Sequence, residues 1–434
     1  MDKMADVLGR AGAWCGQNKY LSAIKNAFQN FMPLTIAGAI GVLWCNVLVN
    51  ESTGLGIFFK PIMALEFLNP AFQAVNFCTI SCITVGITLG IAQEIGVWNM
   101  GAEKAGYIPG LVGLAAWLSV TNTSHMVEGA KEAFTGIAGN ELGATGLFTG
   151  MIIGVLSVEL FCFFEKQDAL KIKMPEQVPP GVARAFEVLV PATITLIITA
   201  CIGSACYNLT GLYLNDVIKN GIQGPLGAVG ATIPGVMIIY LVIMLFWLVG
   251  IHGNNMLSAV KEALFTPLAL ENVEKFNKGE KPTNIINMYF LQMCGEFGGS
   301  GVTIGLVIAI MIFGKREDNK AIATLSLVPG LFNINETVTF GIPMVLNPIL
   351  GIPFVFACLV TILVGYVLTV IGFCPVACLT VPWTTPPIVF GFLACGANVR
   401  GAVTQAILIV VSTVIYVPFL IAYEKYQNKQ AAEA

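Results

Sequence analysis

The chain has 434 residues, of which 56% are hydrophobic and 11% charged, with a formal net charge of -3. A soluble domain carries roughly 25% charged residues, and this shortfall, with a mean hydropathy of +0.80, reads as an all-α polytopic membrane protein. The near-neutral charge without a basic block argues against a nucleic-acid partner, and the 12 cysteines are scattered without metal spacing, as small hydrophobes of a membrane core.

Residues 1–30 form an amphipathic, polar lead-in with no compact apolar core and no cleavage site, so the N-terminus is expected to stay in the cytosol. Apolar stretches of membrane-helix character follow at 31–49, 72–92, 106–120, 144–164, 188–214, 234–251, 352–373 and 402–423. Lys and Arg set their orientation. Lys3, Arg10, Lys19 and Lys25 precede the first span, and Lys166, Lys171, Lys173 and Arg184 separate the fourth from the fifth. Lys261, Lys275, Lys278 and Lys281 follow the sixth, and Lys425 and Lys429 lie at the end. The loops between, near 51–60, 122–141 and 215–224, carry few positive charges, which predicts both termini on the cytoplasmic side.

The stretch 284–314 has basic loops on both sides, so a single crossing would put one of them outside. The Gly-rich GEFGGSG at 295–301 splits it, and a re-entrant hairpin or a pair of short crossings restores parity. Stretches 322–350 and 375–395 are also broken, by VPGLFNINE and VPWTTPP. All three lie in the second half, whereas the first half reads as plain helices, a distribution familiar in transporters. The expected division is a cytoplasmic N-terminus 1–30, a scaffold and dimerisation half 31–233, a substrate-binding half 234–423 and a cytoplasmic tail 424–434.

Glu336 lies inside a strongly apolar segment, flanked by Asn333, Asn335 and Thr337. A carboxylate there is costly unless compensated, and broken backbone at membrane depth is tolerated where it is buried in protein or lines a wet cavity. Two acceptor oxygens suit neighbouring hydroxyls of a sugar, and the asparagines add donors and acceptors. The plainer alternative has Glu336 satisfying backbone amides of a broken helix. His252, in FWLVGIHGNNM, closes the sixth span; its imidazole donates and accepts, Gly253 permits close approach, and Asn254 and Asn255 add amides. Helix capping is the plainer role. Trp383, with Thr384 and Thr385, offers an indole face for a pyranose ring or a place in an interfacial belt. Glu296 reads as lining the same cavity or, preferably, as a cap of the glycine kink, Glu159 as facing a helix neighbour or the cytoplasmic interface, Trp247 as packing, and His125 as a loop residue with no evident partner. There is no Walker loop, zinc pattern or serine nucleophile elbow. No metal, cofactor or ATP hydrolysis is expected, and transport energy comes from an ion gradient or a partner.

IKMPEQVPPGVARAF (172–186), LFWLVGIHGNN (245–255), GGSGVTIGLVIAI (298–310), PGLFNINETVTFGIPMVLNPILGIPF (329–354) and VPWTTPPIVFGFLACG (381–396) resemble the membrane subunit (IIC) of bacterial sugar phosphotransferase systems of the lactose/cellobiose/diacetylchitobiose family. The resemblance is strong in the second half and looser before residue 172. It implies a homodimer in the cytoplasmic membrane, with about ten transmembrane helices plus re-entrant hairpins. It further implies uptake of a disaccharide that a cytosolic phosphocysteine subunit (IIB) phosphorylates, with His252 and Glu336 on the sugar. Thr337 departs from the proline that often follows the glutamate. The last cysteine is Cys395, whereas lactose-type members often carry the phosphocysteine domain fused behind this region. A separate donor polypeptide is therefore expected, which favours a cellobiose or diacetylchitobiose type.

The expected function is a sugar permease in which Glu336 accepts hydroxyl hydrogen bonds, His252 orients the reacting hydroxyl and Trp383 stacks on one ring. Asn333, Asn335, Gly253, Asn254 and Thr384 complete the site, and either Glu336 or His252 takes the hydroxyl proton. The rival is an ion-coupled secondary sugar symporter, in which the lone carboxylate is the ion site.

Overall fold

The computed structural model describes residues 10, 14, 17–51, 56, 59–125, 134–175, 177–342 and 344–433. Much of the lead-in expected at 1–30, and Pro343 of the NINE segment, lie outside them. The described chain is mainly helical, with one short hairpin that pairs Ser124 with Thr135 and His125 with Phe134. Among the described residues, five helices are long and apolar enough to cross a membrane, or up to seven if each of two bent pairs counts as one span. The chain divides into two compact units, one containing Gln17–Gly38 and Ala74–Ala228, the other Ala39–Gln73 and Val229–Ala434.

α1 (Lys19–Leu43) begins the fold and belongs to the former unit as far as Gly38; in that unit α2 (Ile83–Met100), α3 (Ile108–Val120), α4 (Ala144–Glu165) and α5 (Pro180–Thr210) pack together. Gly146, Gly150 and Gly154 recur every fourth residue along α4. This small-residue stripe lets helix backbones approach closely without a hydrophobic drive between them. A Cβ at Gly150 would run into the Thr88 hydroxyl of α2. Trp117, Ala116, Val120 and Ile153 form a core where α3 meets α4. Glu159 pairs with Lys19 at 2.6 Å, and Glu165, 1% exposed, with Lys104 and Arg184 at 2.9 Å each.

Two expectations for the first half of the chain need correction. The first half is not made of plain helices: five-residue wide turns interrupt it at Trp44–Leu48, Phe77–Ser81 and Lys219–Gln223, and a tighter 3-10 stretch runs over Lys60–Leu68. Wider turns of this kind insert a residue without ending the helix, so hydropathy does not mark them. His125 is not partnerless: its Nε2 lies 3.2 Å from the Asn122 carbonyl and its ring 5.6 Å from Phe134.

The latter unit contains α6 (Ile233–Leu248), α7 (Gly253–Met256), α8 (Ser258–Asn277), α9 (Met288–Gly295), α10 (Ile304–Phe313), α11 (Glu317–Leu331), α12 (Glu336–Gly341), α13 (Gly351–Val370), α14 (Val389–Ala394) and α15 (Val399–Glu433). The stretch expected to break at GEFGGSG does so, with a 59° bend between Met288–Val302 and Ile304–Phe313. The spans expected at 106–120 and 234–251 form helices of only 13 and 16 residues. At about 1.5 Å per residue these are shorter than the roughly 30 Å hydrocarbon core. A proline in the first turn sets the start of each, and α6 ends where the site begins.

Candidate functional site

The site region grows from four interruptions of helix in the second unit. α6 stops at Leu248 and turns through Gly250, whose φ is 82°. His252 then caps α7, its Nδ1 accepting the Asn255 amide hydrogen at 3.3 Å. In a neutral ring this leaves the proton on Nε2. The imidazole packs at 4.4 Å on Trp247, which is 2% exposed and meets the edge of Phe354. Trp247 thus packs, as expected, and its partner is the histidine. Gly253 is required sterically, because a Cβ there would collide with the Ile243 carbonyl.

The second interruption is the glycine turn after α9. Gly298, Gly299 and Gly301 take φ of 67°, 88° and 74°, the left-handed range that glycine enters at no steric cost. Thr303 and Tyr416 donate to the Gly298 and Gly301 carbonyls, both at 2.8 Å. The turn presents the Gly298 amide and the Ser300 carbonyl to its neighbours.

The third is the NINE segment. Asn333, at φ 64°, takes a conformation asparagine tolerates better than most residues. Its Oδ1 accepts from the Gly298 amide at 2.6 Å, and its Nδ2 donates to the carbonyls of Trp383 and, at 3.2 Å, Thr385. Asn335, 4% exposed, donates to the Ser300 carbonyl at 2.8 Å. Glu336 follows as the first residue of α12, where a carboxylate faces the positive end of the helix. Its side chain is exposed and has no hydrogen-bond partner among the described residues. Packing does not bury this carboxylate, and among the described residues it accepts from no amide of the broken helix. It is near enough to His252 for their charges to interact.

The fourth is the proline-bracketed loop. Trp383 is 44% exposed and Thr384 half-buried. The loop runs into α14 through Ile388, at φ 76°. Gln405 of α15, 1% exposed, holds that junction: Oε1 accepts from the Ile388 and Gly391 amides at 2.7 Å each, and Nε2 donates to the Met293 carbonyl.

These bonds tie all four motifs together. Asn254 completes the set, donating through Nδ2 to Ser300 Oγ at 2.9 Å and accepting through Oδ1 from Lys261 at 3.1 Å. Asn254 and Asn333 are therefore committed to protein partners at both ends of their amides. Glu296 stands at the C-cap of α9, its carbonyl accepting from the Gly299 amide at 3.0 Å, while its carboxylate accepts from Tyr240 at 2.7 Å and pairs with Lys261. Lys261, which charge counting assigns to a cytoplasmic loop, is 6% exposed inside α8. Ser300, Tyr240 and Gln405 were not singled out in the sequence. A serine, tyrosine or glutamine in an apolar stretch carries no spacing signal of its own.

Long apolar helices, with a polar cluster where others break, define a polytopic membrane protein with an internal polar site. The profile described as phosphotransferase system, EIIC, matches residues 25–358. The oligo-beta-mannoside-specific EIIC component of Bacillus subtilis (strain 168) is 33% identical over 429 residues, 98% of this chain and 94% of that protein. The cellobiose-specific EIIC component of Lactococcus lactis subsp. lactis (strain IL1403) is 29% identical, covering 98% of each. The crystal structure of the transporter ChbC, the IIC component from the N,N'-diacetylchitobiose-specific phosphotransferase system, superimposes with a TM-score of 0.88 at 29% identity over 97% of both chains. The chain belongs to the phosphotransferase system EIIC family, and is an integral-membrane sugar permease of the bacterial cell membrane.

Proposed function

We propose that the chain takes up a disaccharide of the cellobiose or diacetylchitobiose type and presents it at the bilayer's inner face to a separate IIB phosphocysteine subunit. One observation carries this reading: Glu336 follows Asn333 and Asn335, which bond the NINE segment to the glycine turn and the tryptophan loop, yet its own oxygens are unengaged by described residues. An unengaged carboxylate within charge range of an imidazole, whose neutral ring carries its proton on Nε2, offers an acceptor pair and a donor to sugar hydroxyls. Trp383 supplies the apolar face for a ring, with Thr384 beside it. Asn333, Asn335 and Gly253 shape the site through the backbone contacts described above, and Asn254 through its bonds to Ser300 Oγ and Lys261. Transfer from phosphocysteine depends mainly on positioning, with His252 orienting the reacting hydroxyl and Glu336 or His252 receiving its proton. The names of the similar proteins, which specify cellobiose, oligo-beta-mannoside and N,N'-diacetylchitobiose, support a disaccharide of this class.

In this reading the permease is a homodimer with both termini cytoplasmic. It has about ten crossings plus two re-entrant hairpins, a scaffold half at 31–233 and a binding half at 234–423. The test is binding of labelled cellobiose and diacetylchitobiose to the purified full chain and to Glu336→Gln. Loss of binding in a variant that purifies and melts like the parent supports the assignment; parental binding in that variant overturns it.

A further inference from the structure

We infer that the buried pair Lys261–Glu296 is a positioning device for the sugar site, acting through the Asn254 amide. The inference rests on the sugar-site reading above. Lys261, on α8, is 6% exposed, and the side chain of Glu296, at the glycine kink, is 19% exposed. Tyr240, 1% exposed, donates to the same carboxylate, and the ammonium lies 5.5 Å from the centre of the Tyr240 ring. A buried ion pair adds little net stability, since desolvating two charges offsets their attraction. Its geometry gives it another use.

An ammonium can only donate. The side of Asn254 that meets Lys261 must therefore be the oxygen, which leaves the NH2 group for Ser300 Oγ. The charge thus selects one of the two amide orientations. Ser300 receives Asn335 on its carbonyl, and Asn335 immediately precedes Glu336. On the other side, Asn254 lies two residues after His252, inside the turn the imidazole caps. The series Tyr240, Glu296, Lys261, Asn254, Ser300, Asn335 therefore fixes the His252 turn against the Glu336 turn. These are the two groups that would grip one hydroxyl pair from different elements. Lys261 and Ser300 have no hydrogen bond to one another among the described residues, and Asn254 is the side chain that bonds both.

The coupling of Lys261 to Ser300 is the test. Cellobiose and diacetylchitobiose affinities are measured on the full-length detergent-solubilised protein for Lys261→Met, Ser300→Ala and the double variant. Each single change should weaken binding by about tenfold, the upper end for one neutral hydrogen bond and the lower end for one to a charged group. The double variant should be no weaker than Lys261→Met alone, because the relay is already broken. Multiplying losses, about a hundredfold together, or parental affinity in Lys261→Met, overturns the inference. If Lys261→Met does not fold, Lys261→Met/Glu296→Met removes both charges. That protein should recover parental melting yet still bind about tenfold more weakly, whereas recovered affinity marks the pair as purely structural and sinks the proposal. If neither Met variant folds, Ser300→Ala binding at parental affinity refutes the relay and a tenfold loss supports it. Glu336→Gln is run beside them. Retained binding there defeats the site reading itself, whereas lost binding there with unchanged Lys261→Met defeats only the relay.

Discussion

Replacing Asn333 with alanine removes three hydrogen bonds and a backbone preference at once. The side chain joins the Gly298 amide to the carbonyls of Trp383 and Thr385, so its loss releases the glycine turn from the tryptophan loop. Two of these bonds are part-buried and the one to Trp383 is exposed; each contributes about 1 kcal/mol or, for the exposed one, somewhat less. Holding alanine at φ 64° costs about 1 kcal/mol more than holding asparagine. The expected total is roughly 3–4 kcal/mol, before any relaxation of the loop. Asn333→Gly separates the two effects, because glycine enters this conformation freely but restores no bond. The order of stability in detergent should be parent, then Gly, then Ala, measured by thermal melting of the full chain. Both variants should lose sugar affinity, since Trp383 and Glu336 no longer share a frame. Equal melting and binding of Asn333→Ala and the parent would refute the reasoning.

Other outcomes follow from the same geometry. Trp383→Ala should leave the melting temperature nearly unchanged, since the ring is 44% exposed, yet weaken disaccharide binding tenfold or more, with partial recovery in Trp383→Phe; calorimetric titration reads both. Gly253→Ala drives a Cβ into the Ile243 carbonyl and should cost about 1–3 kcal/mol, seen as a lower melting temperature and loss of sugar uptake. In membrane vesicles supplied with phosphoenolpyruvate and the cytosolic phosphotransfer proteins, collapse of the membrane potential should leave uptake intact; arrest of uptake would favour an ion-coupled symporter.

Much of the site was legible in the sequence because its residues lie where apolar periodicity fails. Glu336, His252 and Trp383 each stand beside prolines or glycines that end a helix, and the structure brings the motifs that carry them together. The role of the asparagines was not legible in detail. A side-chain amide serves a ligand or a backbone equally well, and only the partners show that Asn254 and Asn333 are occupied. Lys261 was misplaced for a related reason. Charge counting treats every lysine near a span as a loop residue, and the partner that allows its burial, Glu296, lies 35 positions away. The wide helical turns of the first half left no mark because they preserve hydropathy.

A structure with cellobiose or diacetylchitobiose bound tests the central claim most directly. It should place two adjacent sugar hydroxyls within about 3 Å of the Glu336 oxygens and His252 Nε2, with the Trp383 indole against a ring face. A sugar seated elsewhere, with Glu336 still unengaged, would contradict the account.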